Sequence, residues 1–269
     1  MKYNSFEPSA NLKDYVKCYW TLYEEAQAAP QTQRILPDGC MEMIFHFGDH
    51  FKQINTEGDN IIQPRCFVFG QITKTLEIAP TGVTDIFSVR FHPGGFLPFA
   101  EFPLNEMENR AVPLTKLFGE SGKVLEKQML KLADTPLKIA LIEEFLLNQL
   151  SKPQAADLLA KRSVDLIMEL NGQLDIGTLS EQMKLSRRSL ERKFSKIIGL
   201  SPKELSRMVR MQSVLRSLFA NNYENLTDIA YEFNYFDQAH FINDFKEFTG
   251  VSPKKFFSNN LKMASLFID

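Results

Sequence analysis

Residues 186–202 read SRRSLERKFSKIIGLSP, and residues 237–253 read DQAHFINDFKEFTGVSP. The second stretch repeats the pattern of the first at a distance of 51 residues, so that Phe194 corresponds to Phe245. Both stretches end in glycine, an apolar residue, serine and proline. A repeat of caps, turns and apolar positions over this length predicts a duplicated supersecondary unit.

The first stretch contains the start and stop signals of helices. Ser186 can cap a helix that Gly199 ends. Ser201, a following proline and Glu204 in the third position together predict the start of a longer helix. That helix can run to about residue 219, a length of roughly 27 Å at ~1.5 Å per residue.

A short helix is predicted before each of the two stretches. Thr178 and Glu181 have the spacing of a capping box, and Asn225 opens the matching short helix of the second unit, after which Asp237 caps the longer one. A short helix, a tight turn and a second helix form a helix-turn-helix. In that motif the second helix enters the major groove of DNA, and its first residues meet base edges.

The outward faces of the two longer helices carry side chains that can read bases. The buried stripe of the first helix leaves Arg188, Glu191 and Arg192 on a neighbouring face. The fork of an arginine binds O6 and N7 of guanine, whereas Glu191 can accept from cytosine or orient the arginines. The second helix offers Gln238 and Asn243, whose amides suit adenine.

Residues 158–257 resemble the DNA-binding domain of the AraC/XylS family of bacterial transcription regulators. The resemblance rests on residues 186–194, 199–202, 237–241 and 245–253. It implies seven helices, with two motifs that one long helix joins and that enter successive segments of the major groove. The base-reading positions of the family fall here on Arg188, Glu191, Arg192, Gln238, Ala239 and Asn243.

Contacts with DNA phosphates are expected around the same helices, because cationic and hydrogen-bonding side chains there position a protein on the duplex. For His240, early in the second helix, phosphate contact and helix packing are both open. The candidate phosphate-binding residues are Ser186, Arg187, Lys193, Lys196, His240 and Lys246.

The sequence departs from the family pattern in both motifs. Lys184 and Asn234 stand where the family usually has a turn glycine. Asparagine tolerates the left-handed conformation and lysine less so, which predicts a strained or differently shaped first turn. Asn243 replaces the commoner arginine, so the second helix is expected mainly to position the protein on phosphates.

The first ~100 residues are predicted to be β-rich, as expected for a barrel or a sandwich. Residues 16–23, 41–47, 66–69 and 85–91 are short runs rich in aromatic and β-branched side chains, with turn signals between them. After residue 95 the apolar spacing becomes helical in two segments, and residues 151–154 are expected to form a linker. The predicted helical segments are 124–132 and 137–150.

The N-terminal region resembles the N-terminal domain of one AraC-type subgroup, in residues 34–40, 43–48, 89–95 and 112–119. The resemblance implies a β-barrel or cupin-like domain followed by helices, with a sensing or dimerising role. The predicted fold class is therefore α+β with several domains. Residues 1–150 are expected to form a sensor or dimerisation domain, and residues 155–260 an all-α DNA-binding domain with two helix-turn-helix motifs.

Trp20, Glu42, Arg90 and His92 are candidate pocket residues, because they are polar or amphipathic side chains in the β region; the alternative is a satisfied core or surface pair. Another cluster invites a zinc hypothesis, but its spacing is unlike compact zinc sites, and we expect neither a metal nor a cofactor. The members of that cluster are Cys40, His46, His50 and Cys66.

The charge of −2 conceals a division along the chain. Residues 1–159 contain 15 Lys and Arg against 20 Asp and Glu, whereas residues 160–257 contain 15 against 12. A more basic second part is typical of a nucleic-acid partner. Three widely spaced cysteines, the lack of a signal-peptide pattern at the N-terminus and the lack of a long apolar run predict a cytoplasmic protein that does not enter membranes.

Together these patterns predict a transcription regulator that binds specific double-stranded DNA and has no enzymatic activity. A small-molecule effector in the N-terminal domain is expected to control it, and RNA polymerase and a second copy of the chain are candidate partners. Two alternatives remain open: a cupin-type enzyme with a regulatory DNA-binding tail, and a regulator whose N-terminal domain serves only assembly.

Overall fold

The computed structural model describes residues 1–55, 58–99, 103–150, 155–220 and 225–256, without the side chains of residues 155–157. The described strands of the N-terminal half are β1 (Lys2–Phe6), β2 (Val16–Glu24), β3 (Gln33–Ile35), β4 (Glu42–His46), β5 (Phe51–Ile54), β6 (Ile61–Ile62), β7 (Cys66–Phe69), β8 (Leu76–Pro80), β9 (Thr84–Phe91) and β10 (Ala111–Pro113). They form a six-stranded sheet in the order β1-β2-β9-β4-β7-β10 and a four-stranded sheet in the order β3-β8-β5-β6. Neighbouring strands are antiparallel.

The six-stranded sheet is covered on both faces. On one face Trp20 and Ile86 pack against Phe51 and Ile78 of the smaller sheet. On the other face a second apolar cluster contains residues of the same strands, such as Phe87 of β9. This explains why β7 is buried along its whole length and does not alternate with solvent.

Two helices, α1 (Leu114–Met129) and α2 (Thr135–Gln149), cover that second face. They contribute Leu125 and Met129, and Ile142 and Leu146, pairs that lie four residues apart on one side of a helix. The predicted helical segments are thus confirmed, and α1 begins earlier than expected. The four predicted strands are also confirmed.

The predicted α+β class is confirmed, whereas the barrel is corrected to two sheets that pack face to face. Within the described residues no ladder of hydrogen bonds joins the small sheet to the large one. The reason is that the large sheet uses its second face to bury the helices, so the strands gain nothing by closing on themselves.

The C-terminal region is helical in all its described parts. Its helices are α3 (Ala155–Glu169), α4 (Ile176–Gln182), α5 (Arg187–Ile198), α6 (Pro202–Phe219), α7 (Leu226–Glu232), α8 (Gln238–Thr249) and α9 (Pro253–Phe256). Ser201 and Glu204 form the expected capping box at the start of α6. The predicted linker at residues 151–154 and the last predicted residues of the domain, 257–260, lie outside the described residues.

The cap of α4 was predicted wrongly. The N-cap is Asp175, whose carboxylate accepts from the backbone N–H groups of Gly177, at 2.8 Å, and Thr178, at 3.1 Å. An aspartate three residues upstream captures the free N–H groups first, so the helix begins before Thr178.

The turns of the two motifs have the same shape, although Lys184 departs from the expected glycine. Lys184 has φ 53° and Asn234 has φ 55°, so both are left-handed. In each turn the next residue donates to a carbonyl five residues back, Leu185 to Ser180 and Tyr235 to Ala230. This hydrogen bond is the Schellman closure of a helix. The backbone bond therefore outweighs the conformational cost at lysine, and the predicted difference in shape is wrong.

Helix α6 lies at the centre of the helical region and is buried on several sides. Leu205, Met211, Val214 and Leu218 are among its fully buried residues, and they belong to a core shared by both helix-turn-helix units. Burial of each such side chain contributes about 1.5–3 kcal/mol. The core thus holds both units to one helix.

An ion-pair cluster holds α8 to α6. Arg207 binds the carboxylate of Asp244, which is 8% exposed, and also contacts Glu247 at 2.7 Å. The hydroxyl of Tyr235 donates to the same carboxylate at 2.8 Å, and the guanidinium of Arg210 lies 4.5 Å from the centre of the Tyr235 ring. We call Arg207, Arg210, Tyr235, Asp244 and Glu247 the α6–α8 cluster.

The loop after α3 adds a polar bridge to the second unit. The side-chain amide of Asn234 donates to Gln173 at 2.9 Å, and Ser213 of α6 lies 3.2 Å from Asn171. Gly172, between them, has φ 70° and passes directly over the backbone of α6. This loop therefore ties α3, α6 and the second turn together.

The N-terminal sheets contact the helical region at several points. Gln212 of α6 donates to the Pro37 carbonyl at 2.8 Å, and Thr75 donates to the Phe248 carbonyl at 2.9 Å. Leu36 and Leu97 join the apolar core of the helical region. Changes in the N-terminal region can therefore reach α6 and α8 through direct contacts.

Two glycines with positive φ provide a matched test of the approach of the loop to α6. A Cβ atom on Gly172 would overlap the Ser206 carbonyl, whereas a Cβ on Gly250, at φ 77°, meets nothing within 4 Å. We expect Gly250→Ala to lower the free energy of unfolding by about 1–2 kcal/mol, the cost of the left-handed backbone. Gly172→Ala should cost a further ~1–3 kcal/mol, because backbone must move. Denaturant titrations measure both, and equal losses would contradict the close approach.

The α6–α8 cluster predicts unequal effects of its two acids. Asp244→Asn should lower the free energy of unfolding by about 1.5–3 kcal/mol, because it weakens charged hydrogen bonds at a buried site. Glu247→Gln, whose side chain is 71% exposed, should cost only ~0–1 kcal/mol. Thermal unfolding of both variants against the unmodified chain measures the difference. If Glu247→Gln lowered the free energy of unfolding as much as Asp244→Asn, the buried Asp244 would not be the main link between α8 and α6.

Candidate nucleic-acid interface and N-terminal cavity

Helix α5 presents the predicted reading face to solvent. The Ser186 hydroxyl accepts from the Ser189 N–H at 3.3 Å, so the helix begins where the sequence predicts. Leu190 and Phe194 are buried. Arg188, Glu191 and Arg192 are all exposed. The first turns of α5 therefore carry an open, mainly basic face.

Helix α8 presents a comparable face of different chemistry. Asp237 caps it by accepting from the His240 N–H at 2.7 Å. Gln238, Ala239 and Asn243 are exposed, and the Gln238 amide oxygen lies 3.3 Å from the Thr227 hydroxyl. This face has hydrogen-bonding amides and a methyl group, and it lacks the arginines of α5.

The candidate phosphate residues differ in how freely their side chains are placed. Lys196 and Lys246 are exposed, and Lys193 is half-buried. Arg187 is exposed and lies beside Gly177, where its charge, after the hydrogen bonds from Thr178, helps lower the pKa of Asp175.

Two other phosphate candidates have internal roles. The Ser186 hydroxyl acts as a helix cap. The exposed His240 packs edge-on against the Tyr235 ring, with the ring centres 5.3 Å apart, and phosphate contact by this side chain remains a prediction.

Several residues near α8 were not identified from the sequence patterns. Phe236 directly precedes the cap and is 88% exposed, a high value for an aromatic side chain. Asp244 is the tie to α6 described above, and its spacing of three residues from Phe241 and four from Phe248 places it on the buried side of α8. An acidic residue at a position of the buried apolar stripe is the sequence signal that could have identified Asp244.

A cavity lies between the two sheets of the N-terminal region. Its volume is about 70 Å³, room for several waters at about 10–15 Å³ each. Three of the four predicted pocket residues line it: Trp20, Glu42 and Arg90. The remaining lining residues are mostly apolar, together with Asp38, Cys40, His46, Gln63 and Gln212.

Arg90 lies in a buried charged cluster at one end of the cavity. It binds Glu42 at 2.6 Å and also the carboxylate of Asp38. Although burial disfavours its charge, these carboxylates hold the pKa of Arg90 above its usual value. Burial raises the pKa of Glu42, and it raises the pKa of Cys40 to about 12, so this thiol is neutral.

His46 lies at the other end of the cavity. From the sequence it was considered only as a zinc ligand. It is 1% exposed, and its Nε2 lies 3.3 Å from the Oε1 atom of Gln63. Burial lowers the pKa of His46 to about 4, so the ring is neutral near pH 7. The alternation Glu42, Ile44, His46 along β4 could have placed it on the face of Glu42.

His92 does not belong to this cavity. It lies in a cleft between the N-terminal region and helices α3 and α5, near Lys13, Lys161 and Ile198. Burial and then Lys17 lower its pKa. The structure thus separates His92 from Trp20, Glu42 and Arg90.

Two features are absent from the described residues. No group of three His, Cys, Asp or Glu side chains is arranged there to hold a metal ion. None of the described helices combines the length and apolar character needed to cross a bilayer.

Comparison with known families matches both parts of the chain. Residues 4–113 match a family described as a domain of unknown function (DUF6597). Residues 179–259 match a family described as a helix-turn-helix domain. The second match contains the end of α4 and all of α5 to α9, and with them the two exposed faces.

The Msm operon regulatory protein of Streptococcus mutans is 28% identical over an alignment of 157 positions that covers 51% of this chain. The match covers 56% of the length of that protein. Among solved structures, ToxT of Vibrio cholerae has a TM-score of 0.49 at 11% identity, covering 89% of this chain and 98% of that chain. ToxT bound to (E)-4-(8-methylnaphthalen-1-yl)but-3-enoic acid has a TM-score of 0.49 at 13% identity, with the same coverage.

The two capped helices, their Schellman turns and the single helix between them agree with the motifs in residues 186–202 and 237–253. The helix-turn-helix match and the similarity to an operon regulator agree with the same assignment. The C-terminal part of the chain, residues 179–259, is therefore an AraC-type helix-turn-helix domain.

Proposed function

We propose that the protein regulates transcription by binding one promoter site with α5 and α8 in two segments of the major groove. The observation that carries this proposal is the exposure of all six candidate base-reading residues, on two separately capped helices. Those residues are Arg188, Glu191, Arg192, Gln238, Ala239 and Asn243.

The chemistry of the two faces assigns them different bases. Arg188 and Arg192 can each bind O6 and N7 of a guanine, and Glu191 can accept from the amino group of cytosine. Gln238 and Asn243 suit adenine, and the methyl group of the alanine between them suits thymine. The site is therefore expected to be richer in G·C pairs under α5 and in A·T pairs under α8.

Affinity is expected to come mostly from the first motif. At a shift of 51 residues, Lys193 and Lys196 of α5 correspond to Asp244 and Glu247 of α8. The acids of α8 bind Arg207 of the α6–α8 cluster, so this cation is engaged within the protein. From this difference we infer phosphate binding mainly by α5 and shape or base contacts by α8, in place of the phosphate positioning first expected of α8.

The spacing between the motifs is rigid, because α6 packs in one core with both motifs and the loop after α3 ties α6 to the second turn. Helices in successive major-groove segments on one DNA face are about 34–36 Å apart. If the distance between α5 and α8 is fixed, the DNA must bend to bring both groove segments into contact, which costs about 1–6 kcal/mol. The exposed Phe236 can cover part of the sugar backbone beside α8.

The cavity between the sheets supports control by a small-molecule effector. It is mainly apolar, with a few convergent polar groups, as ligand sites usually are. Gln212 of α6 forms part of its wall, so a ligand there would touch the helix that holds both motifs. Contact with RNA polymerase and a homodimer remain predictions, as do the domain bounds 1–150 and 155–260.

Substitutions on α5 distinguish base reading from phosphate binding. The preferred site is first selected from random duplex DNA with the full chain. Arg192→Ala should then weaken binding to that site by about 1–3 kcal/mol, and it should relax the preference at one base pair. The matched variant Lys196→Ala should weaken binding to all sequences alike and reduce the slope of affinity against salt.

Binding titrations at several salt concentrations measure both effects. An equal loss on unrelated sequences for Arg192→Ala would contradict base reading by this residue. Failure of the selection to yield any preferred sequence would contradict the function itself.

A further inference from the structure

We propose that the cavity between the two sheets binds an uncharged small molecule with a mainly apolar body and a hydroxyl group, and that residues 37–40 transmit its binding to α6. This inference rests on the proposed effector control, for which it names a ligand class and a route.

The cavity follows the direction of β4. Glu42, Ile44 and His46 alternate along the strand and face it, with Arg90 of β9 opposite Glu42 and Ile86 opposite His46. At ~3.3 Å per residue the ends of this row are about 13 Å apart. The cavity therefore has a charged end and a histidine end, with apolar side chains between them.

The charged end offers no free charge to an ionised ligand. The guanidinium of Arg90 already binds Glu42 and Asp38, and Ser88 donates to Glu42 at 3.1 Å. A carboxylate ligand would meet these two acids, and an ammonium would meet Arg90. Either ion would lose its water without gaining a partner, which is costly in a mainly apolar cavity.

The histidine end lacks one hydrogen bond. The Oε1 atom of Gln63 lies 3.3 Å from Nε2 of His46 and can accept a hydrogen bond from it. In the tautomer that makes this bond, Nδ1 of the neutral ring is an acceptor. Among the described residues this Nδ1 has no hydrogen-bond partner, although the ring is buried. A ligand hydroxyl can donate to it, whereas an ether or an ester of the same shape cannot.

The middle of the cavity fits an apolar body. Its walls come from both sheets, with Trp20, Ile44 and Ile86 on the large sheet and Ile35, Leu76 and Ile78 on the small one. A ligand that spans the cavity would therefore replace water on apolar surface along most of its length, which favours binding.

The loop at residues 37–40 joins the charged end to α6. Asp38 binds Arg90 on the cavity side and also accepts from the Cys40 N–H at 2.8 Å. On the other side of the loop Gln212 holds the Pro37 carbonyl, and a Cβ atom on Gly39 would lie 2.7 Å from the Leu205 side chain. A ligand that shifts this loop therefore displaces contacts with α6 directly.

Calorimetry with the full chain tests the ligand class with matched compounds that differ only in the head group. The first set is 1-butanol, its methyl ether, butanoate and butylamine, and the second set has pentyl chains in place of butyl. The alcohol of at least one set should bind at least tenfold more tightly than its three relatives. Preference for the acid or the amine, or no binding by either alcohol, would overturn the ligand class.

Histidine-to-phenylalanine substitutions at His46 and at His50 test where the ligand binds. His46→Phe should remove the preference for the alcohol over its ether, because the acceptor is lost while the apolar volume is kept. His50→Phe is the control, since His50 is half-buried and does not line the cavity; it should keep the preference. An alcohol preference that survives His46→Phe in a folded protein would contradict the assignment to this histidine.

The route is tested on the selected DNA site. The bound alcohol should change the affinity of the unmodified chain for that site by at least threefold, and Gln212→Ala should bring this ratio close to one while the alcohol still binds. An unchanged ratio in Gln212→Ala, or no effect of the alcohol on the unmodified chain, would refute the route. If DNA is selected normally but the acid is the preferred ligand, the ligand class fails and the regulator function stands.

Discussion

Burial of α6 on several sides at once is the constraint on which the rest of the structure depends. Its apolar residues, Leu205 and Leu218 among them, belong to one core with both helix-turn-helix units, and Gln212 holds the N-terminal region. The helix cannot slide against one neighbour without exposing apolar surface to another, and each exposed side chain would cost about 1.5–3 kcal/mol. The exposed faces of α5 and α8 and the cavity are therefore connected through α6.

The two motifs share a backbone and differ in the use of charge. In α8 the positions of Asp244 and Glu247 bind Arg207 of α6, whereas the same positions of α5 are Lys193 and Lys196. The second motif thus uses acidic side chains to bind α6, whereas the first motif has lysines at the same positions. A duplicated unit can in this way provide one helix that is bound to the rest of the protein by ion pairs and one helix that attracts an anionic partner.

The sequence predicted the helices of the second half well, because their signals are local. Caps such as Ser186 and Asp237 act within three residues, and apolar spacing marks the buried stripe of each helix. The cap of α4 was misplaced to Thr178 because Asp175 competes for the same N–H groups. The barrel was wrong for a different reason: alternation along a strand does not say what covers each face.

What the sequence determined by itself is the repeat, the class of the fold and the exposure of Arg188 and Arg192, since all three depend on residues close together in the chain. Only the tertiary structure decided that Asp244 ties α8 to α6, that His92 lies away from the cavity, and that His46 faces it with an acceptor unfilled. These facts depend on contacts between distant segments, whose distances follow from the packing of whole sheets and helices and not from any local pattern.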